Sequence, residues 1–240
     1  MRKSFAVEQR KALICPICES HFVAAFTWKS FLVLNEDRLC VACKNYLMKI
    51  QGPTCPKCGR AQSNDQLCQD CSRWNKRRDF AEILVMNRSV YAYNDFMKDI
   101  LARFKFRGDT ALADLFKKDV QSAFKRSFSI KEPVLVPIPL SKERLKERGF
   151  NQSMMLASMI GGPILEPLIK VHQSKQSKKR KNERLHQQNL FQLRQSIPIV
   201  LKDVILIDDI YTTGATVYHA AKILKDAGAK SVSSFTLIRS

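Results

Sequence analysis

Two adjacent carboxylates stand directly before a turn that is rich in threonine and contains one glycine. The turn covers residues 210–216, and its hydroxyls and backbone amides suit an anion such as a phosphate group. Gly214 would let the backbone approach that anion closely. Asp208 and Asp209 suit a sugar, because carboxylates beside a phosphate site accept hydrogen bonds from ribose hydroxyls or act through Mg²⁺. A ribose 5-phosphate satisfies both halves of this segment, whereas a simple helix cap would explain one threonine and neither carboxylate.

All eight cysteines lie before residue 72, and each belongs to a C-x-x-C pair. Such a pair presents two thiolates to one metal ion, so four pairs fit two tetrahedral Cys₄ zinc sites. Sequential grouping gives one set of Cys15, Cys18, Cys40 and Cys43 and another of Cys55, Cys58, Cys68 and Cys71. An interleaved grouping of the RING type is the alternative. Four thiolates leave zinc no open position, so both sites are expected to be structural.

The end of the cysteine pattern predicts a boundary between a zinc-binding module, residues 1–75, and an α/β domain, residues 76–240. The order strand, loop, helix, strand over 204–238 forms a βαβ unit, which predicts a Rossmann-like parallel sheet. The helix of this unit is expected over 213–227. Periodicity predicts further helices over 94–106, 110–124 and 150–160, and a short strand over 133–139.

The formal net charge of +19, from 41 Lys and Arg against 22 Asp and Glu, predicts attraction to polyanions. Nucleic acid is the first candidate and an anionic membrane surface, bound peripherally, is the second. A basic surface around a small phosphorylated ligand is the alternative. No apolar run has the length of a membrane helix or of a signal peptide core, so a cytoplasmic location with reduced cysteines is expected.

A basic stretch over residues 170–184 contains seven Lys and Arg residues against Glu183, and it shows no core-forming periodicity. We expect it to form a mobile loop over the phosphate turn. Two functions are consistent with such a loop, a lid that clamps pyrophosphate and a track for a nucleic-acid backbone. A solvated linker is the third interpretation.

The segment DDIYTTGAT resembles the signature by which type I phosphoribosyltransferases bind phosphoribosyl pyrophosphate (PRPP). The four C-x-x-C pairs, KFRGD at 105–109, RGFNQ at 148–152 and DDIYTTGAT at 208–216 together resemble the ComF family of competence-associated proteins. Members of that family join an N-terminal zinc module to a phosphoribosyltransferase-like domain. The resemblance covers essentially the whole chain.

This resemblance implies a role for individual residues. Asp208 and Asp209 would be the catalytic carboxylates that contact the ribose hydroxyls. The loop after Val136 would bind pyrophosphate with Mg²⁺, and Arg144 and Arg148 suit that charge. The 5-phosphate would be held by the turn itself, that is by Ile210, Tyr211, Thr212, Thr213, Gly214, Ala215 and Thr216. Arg184 in the basic stretch would close over the ligand.

Three functions follow from the motifs and the resemblance. The first is the handling of incoming single-stranded DNA during natural transformation, with a PRPP-binding domain. The second is an active phosphoribosyltransferase, for which the segments flanking the fold identify no nucleobase or other acceptor. The third is a non-catalytic PRPP sensor or scaffold whose zinc module docks a partner, such as a competence DNA translocase of the ComFA type.

Overall fold

The computed structural model describes residues 12–23, 38–107, 110–171, 190–194 and 197–240, with side chains except at 105–107 and 110–114. The chain divides into two compact units, Met1–Leu47 and Met48–Ser240. This division lies earlier than the domain boundary predicted after residue 75, because the second half of the cysteine-rich segment packs with the α/β fold. None of the helices in the described ranges has both the length and the apolarity to cross a membrane.

The described part of the first unit is built around its cysteine pairs. Strands β1 (Leu13–Ile14) and β2 (His21–Phe22) pair antiparallel on either side of the first C-x-x-C turn. Helix α1 (Val41–Tyr46) begins at the second turn, where Cys40 Sγ accepts a hydrogen bond from the Cys43 backbone N–H at 3.4 Å. Elements this short cannot bury enough apolar area to be stable alone, so their geometry depends on the cysteines.

The second unit contains a sheet of four parallel strands in the order β3-β8-β7-β4. The strands are β3 (Asn87–Ala92), β4 (Val134–Pro137), β7 (Asp203–Tyr211) and β8 (Ser231–Arg239). The predicted strand over 204–207 is the fully buried part of β7. The strand is longer than predicted because its pairing with β8 continues to Tyr211 opposite Arg239, which places both carboxylates on the strand. The predicted parallel α/β fold is confirmed.

Six α-helices of the second unit lie in the described ranges: α2 (Gln69–Asn75), α3 (Asp95–Arg107), α4 (Thr110–Ser127), α5 (Lys142–Arg148), α6 (Gln152–Ile160) and α7 (Ala215–Asp226). The four predicted helices correspond to α3, α4, α6 and α7, with ends shifted by up to three residues. Strands β5 (Leu168–Lys170) and β6 (Phe191–Leu193) form a separate antiparallel pair. Since β4, β7 and β8 are parallel, the loops after all three emerge at one edge of the sheet.

Candidate functional site

The paired carboxylates lie at the carboxyl end of β7, beyond its fully buried residues. Both side chains are half-buried. Asp208 Oδ1 accepts a hydrogen bond from Ser153 Oγ on α6 at 3.1 Å and another from the Asp209 backbone N–H at 3.0 Å. Two donors from different elements therefore fix the orientation of the Asp208 carboxylate at the edge of the sheet.

The pKa of Asp208 is raised from its ordinary value to about 7, chiefly by burial and then by the negative charge of Asp209. The two hydrogen bonds and the charge of Lys170 offset part of this increase. A carboxylate whose charged form is disfavoured in the free protein gains when hydroxyl donors or a cation approach it. A pKa raised by burial and a like charge is also typical of functional sites. Asp208 is thus a candidate ligand-binding group on electrostatic grounds.

The segment that joins β7 to α7, residues 210–216, is named here the phosphate turn. Thr212 and Thr213 are exposed, and Ala215 and Thr216 are half-buried. Gly214 is the N-cap of α7, and the first turn of this helix contains no acidic residue. The first amides of a helix have no partner within the helix and carry partial positive charge. The phosphate turn therefore presents hydroxyls and amides that suit an anion.

Glycine is required at position 214 for two reasons. Its φ of 86° lies in the left-handed region, which other residues rarely adopt. A Cβ at this position would also lie 2.3 Å from Tyr211 Oη, because the Tyr211 ring lies directly against the glycine. Tyr211 is only 1% exposed, so its side chain packs in the core and supports the phosphate turn from inside the protein. Only the backbone of Tyr211 is available to a ligand.

The RGFNQ motif connects α5 to α6 and ties this connection to the end of β4. Gly149 ends α5 with a φ of 76°. Asn151 then starts α6, since its Oδ1 accepts a hydrogen bond from the Ser153 N–H at 3.0 Å. Its Nδ2 donates to the Ile138 carbonyl at 3.1 Å. The motif therefore sets the distance between the predicted pyrophosphate loop and Ser153, the partner of Asp208.

The two arginines predicted to bind pyrophosphate lie on α5. Arg144 is exposed and Arg148 is half-buried. Arg148 Nη1 donates a hydrogen bond to Gln152 Oε1 at 3.2 Å, which orients the guanidinium across the turn between the helices. Gln152 is only 2% exposed, so its side-chain oxygen meets Arg148 from within the fold. The structure thus gives the glutamine of the motif a positioning role that the sequence interpretation did not include.

Lys170 joins the candidate site although the sequence interpretation counted it only as the start of the basic stretch. It lies at the end of β5 and is half-buried. Burial lowers its pKa, and the charges of Arg144, Arg148, Asp208 and Asp209 also act on it. Its ammonium group therefore lies within electrostatic range of both the predicted pyrophosphate arginines and the predicted ribose carboxylates. No local pattern distinguished it from the neighbouring lysines.

Several predicted residues lie outside the described ranges. Arg184 belongs to the gap between residues 171 and 190, which also holds most of the basic stretch, so its closure over a ligand stays a prediction. Trp28 and Phe31, two aromatic residues of the cysteine-rich segment, also lie outside the described ranges. Single-stranded nucleic acid is often bound by exposed aromatic rings, but Trp74 is 8% exposed and stacks on Tyr218 inside the protein. Its ring is therefore not available to a base.

The eight thiols form two groups that follow the sequential grouping: the first Cys₄ site of Cys15, Cys18, Cys40 and Cys43, and the second Cys₄ site of Cys55, Cys58, Cys68 and Cys71. Within each group all sulfur atoms lie within 4.8 Å of one another. Tetrahedral zinc with Zn–S bonds of about 2.3 Å separates its sulfurs by roughly 3.8 Å. The Cys18–Cys40 and Cys58–Cys68 sulfur distances, 3.6 and 3.5 Å, are close to that value. Both sets fit structural zinc.

Comparison with protein families assigns both parts of the chain. Residues 10–72 match the double zinc ribbon domain, which contains all eight cysteines. Residues 111–240 match the phosphoribosyl transferase domain, which contains the carboxylates, the phosphate turn and α5. The two matches agree with the predicted order of a zinc module and an α/β domain.

Individual relatives match over nearly the full length. Competence protein ComFC of Bacillus subtilis is 49% identical over 95% of this chain and 95% of its own. ComFC of Streptococcus pneumoniae is 36% identical over 94% of this chain and 99% of its own. The DNA utilization protein YhgH of Escherichia coli K12 is 26% identical over 87% of this chain and 93% of its own. With these matches and both domains in order, the chain belongs to the ComFC family of competence proteins.

Proposed function

We propose that the α/β domain of this competence protein binds PRPP, and that the chain handles single-stranded DNA during natural transformation. One observation carries the PRPP proposal. A pair of carboxylates, Asp208 and Asp209, precedes a turn of hydroxyls and helix N-terminal amides at the carboxyl end of a parallel strand. An anion alone would not require the carboxylates, and a sugar alone would not require the turn. A ribose that bears a 5-phosphate requires both.

The three chemical parts of PRPP correspond to three neighbouring groups of residues. In this proposal the phosphate turn holds the 5-phosphate and the carboxylates of β7 accept hydrogen bonds from the ribose hydroxyls. Pyrophosphate with its Mg²⁺ lies toward Arg144, Arg148 and Lys170, whose positive charges are close together. Three like charges near one another are unfavourable in the free protein, and an anion would relieve their repulsion.

The DNA part of the proposal rests on charge and on the relatives. A net charge of +19 favours a polyanion as partner. Two of the relatives are competence proteins and another is a DNA utilization protein. Because Trp74 is buried, we expect DNA to be bound mainly through its phosphates, and the affinity to fall steeply with salt. A ComFA-type translocase as partner and the closure of Arg184 over PRPP belong to the same proposal.

The test is a pair of titrations, with Mg²⁺-PRPP and with single-stranded DNA, each alone and together on the same zinc-loaded protein. Mg²⁺-PRPP should raise the melting temperature, since a ligand that binds only the folded state stabilises it. The double substitution Asp208→Asn with Asp209→Asn should remove this increase. Asp226→Asn is the matched control, because Asp226 is an exposed carboxylate on α7 that pairs only with Lys222 among the contacts described.

The outcomes separate the two parts of the proposal. If the melting temperature does not respond to Mg²⁺-PRPP, or responds equally in the double variant, the assignment of the PRPP site is wrong. If DNA affinity is insensitive to salt between about 50 and 200 mM, binding through phosphates is wrong. If each ligand changes the affinity for the other, the two changes must be equal in free energy.

An active phosphoribosyltransferase is the second candidate function. In this proposal the carboxylates of Asp208 and Asp209 would stabilise the positive charge of the oxocarbenium-like state that develops at C1 of the ribose, and the ammonium of Lys170 would stabilise the negative charge of the leaving pyrophosphate. The measurement is pyrophosphate release from Mg²⁺-PRPP in the presence of nucleobases or amines. Turnover that is lost in the Asp208→Asn, Asp209→Asn variant would establish the enzyme. Binding without release for every acceptor would favour the non-catalytic sensor.

A further inference from the structure

The second Cys₄ site lies in the same compact unit as the parallel sheet. Its four cysteines are between 0 and 7% exposed. They belong to one buried cluster with Tyr211 of β7 and with Tyr218 and Leu224 of α7. These two elements are the ones that the phosphate turn connects. The second Cys₄ site therefore packs against the elements that support the phosphate turn.

Arg239, the last residue of β8, connects the second Cys₄ site to the phosphate turn. It is 3% exposed, and its Nη2 donates a hydrogen bond to Cys58 Sγ at 3.2 Å. Its Nη1 donates to the carbonyls of Tyr211 and Thr212 at 3.1 and 2.8 Å, and it also contacts the carbonyl of the neighbouring Ser240. A Cys₄ zinc site carries excess negative charge, which a buried guanidinium offsets. One planar group thus bridges a metal ligand and two consecutive peptide carbonyls.

Trp74 makes a second connection to the phosphate turn. It lies on α2, three residues after the metal ligand Cys71, and its Nε1–H donates to the Thr213 carbonyl at 2.8 Å. The indole also stacks on the Tyr218 ring, with a centroid distance of 4.3 Å and an angle of 10° between the planes. Helix α2 begins at the ligand Cys68 and contains Cys71, so the position of the indole depends on the metal site.

These hydrogen bonds orient the amides of the phosphate turn. The carbonyls of Tyr211, Thr212 and Thr213 are all held by donors on the side of the second Cys₄ site. In a planar trans peptide the N–H points opposite to the C=O of the same unit. The next amides along the chain, those of Thr212, Thr213 and Gly214, therefore point away from the metal site. That is the arrangement of consecutive amides that binds an anion.

We infer that metal binding at the second Cys₄ site and PRPP binding at the phosphate turn are energetically coupled, with Arg239 and Trp74 as the positioning residues that transmit the coupling. This inference rests on the proposed PRPP site. Without the metal, Cys58 and α2 lose their fixed positions, and three peptide units lose the donors that orient them. Coupling is reciprocal, so bound PRPP must also raise the affinity of the second Cys₄ site for its metal. We expect this tighter binding to appear as slower loss of the metal.

The experiment measures zinc release to a coloured chelator, with and without saturating Mg²⁺-PRPP, on the full zinc-loaded chain. A variant with Cys15→Ser and Cys18→Ser removes the first Cys₄ site, so the remaining release reports the second site. We expect Mg²⁺-PRPP to slow this release by about fivefold or more. Arg239→Lys keeps the charge but cannot reach all three acceptors. It should retain zinc, remove the slowing and weaken PRPP binding by a similar factor.

Two further variants keep the test decisive if Arg239→Lys does not fold. Trp74→Phe retains an aromatic ring against Tyr218 but loses the indole N–H, so the slowing should be reduced. Arg88→Lys is the matched control, because Arg88 donates to the Pro56 carbonyl in the same zinc knuckle at 3.0 Å and lies on β3. It should leave the slowing unchanged.

The possible outcomes distinguish this inference from the proposed function. If Mg²⁺-PRPP raises the melting temperature but neither slows release from the second Cys₄ site nor lowers the fraction of zinc released at equilibrium, the coupling is wrong and the PRPP site stands. If Arg88→Lys and Arg239→Lys reduce the slowing equally, Arg239 has no special role. If the zinc-loaded protein does not bind PRPP at all, both the proposed function and the coupling are overturned.

Discussion

The two Cys₄ sites have the same ligands and the same C-x-x-C spacing, yet their surroundings differ. The first lies in the unit Met1–Leu47 among two-residue strands and a six-residue helix. Its ligand Cys18 is exposed, and the nearby Ile14 and Val41 are 60 and 70% exposed. All four ligands of the second are buried against β7, β8 and α7. The spacing of the cysteines thus determines how each metal is coordinated. The packing around each site determines whether the metal also stabilises the α/β fold.

Removal of one metal site at a time should give the largest difference between them. Replacement of Cys58 and Cys71 by serine leaves buried hydroxyls and two unpaired thiols in the core that contains Tyr211. We expect a loss of more than about 4 kcal/mol in the free energy of unfolding of the α/β fold. Circular dichroism melts and zinc stoichiometry of the purified protein measure this effect.

The matched control is the replacement of Cys15 and Cys18 by serine at the first Cys₄ site. The core residues around the sheet come from Met48–Ser240, so the main melting transition should remain near that of the unsubstituted protein. Zinc content should fall by one ion in both variants. Equal destabilisation of the main transition by the two substitutions would contradict the distinction drawn between the sites.

The Gly214→Ala substitution tests the support of the phosphate turn at a point where no metal ligand changes. The new methyl would meet Tyr211 Oη at 2.3 Å and would adopt a strained φ. We expect a loss of roughly 2 kcal/mol and no PRPP-dependent increase in melting temperature. Differential scanning fluorimetry with and without Mg²⁺-PRPP gives both values.

Gly161→Ala separates backbone strain from steric contact. Gly161 has a φ of 80° and a ψ of 159°, a backbone region essentially restricted to glycine, but a Cβ there would meet nothing within 4 Å. We expect a loss of about 2 kcal/mol from backbone strain alone, with an intact PRPP response. If Gly161→Ala removes the PRPP response as completely as Gly214→Ala, the contact with Tyr211 is not what shapes the phosphate turn.

The sequence identified those residues of the candidate site that lie in one short segment. Such a segment must both adopt a particular backbone conformation and present groups that suit a ligand. Asp208, Asp209 and Gly214 are of this kind, because strand, carboxylates and helix start follow one another directly. The C-x-x-C pairs are another example, since a metal restricts both residue type and spacing. The parallel fold followed from the βαβ order for a similar reason.

The parts that the sequence did not predict depend on contacts between residues far apart in the chain. Arg239 meets Cys58 across 181 positions, and Trp74 meets Thr213 across 139. Lys170 stood among many lysines, and only the fold brings its charge within electrostatic range of Asp208. The boundary after residue 75 followed the change in composition and stays a prediction, but composition does not show that the second Cys₄ site packs with residues of β7 and α7.

The dependence of stability on pH tests the charge of Asp208 while both Cys₄ sites keep their metal. The pKa of Asp208 is raised to about 7 by burial and by Asp209. The folded state therefore holds its proton more tightly than the unfolded chain, and ligand-free stability should fall as the pH rises from 6 to 8. Asp208→Asn removes this cost, and its melting temperature at pH 8 should exceed that of the unsubstituted protein by roughly 2–4 °C.

Ligand binding should show the opposite dependence on pH. Ribose hydroxyls donate better to a charged carboxylate, so the Mg²⁺-PRPP-dependent increase in melting temperature should be greater at pH 8 than at pH 6. PRPP phosphates titrate in the same range, and the difference between the unsubstituted protein and Asp208→Asn isolates the contribution of Asp208. Identical pH profiles for the two proteins would show that Asp208 does not carry the titration.

The smallest effect is expected from the surface ion pair of the second zinc ribbon. Arg60 Nη2 lies 2.8 Å from Asp70 Oδ2, with side chains 36 and 17% exposed, and Arg73 Nη1 lies 3.6 Å from Asp70 Oδ1. Solvent screens both arginines, so Asp70→Asn should cost only about 0.5–1 kcal/mol in urea unfolding and should leave zinc content unchanged. A loss of several kcal/mol would mean that charge pairing within the ribbon is a main source of its stability. A small loss is expected because the second Cys₄ site is stabilised by its buried contacts with the α/β fold, among them the hydrogen bonds of Arg239 and Trp74, and these contacts distinguish it from the first site.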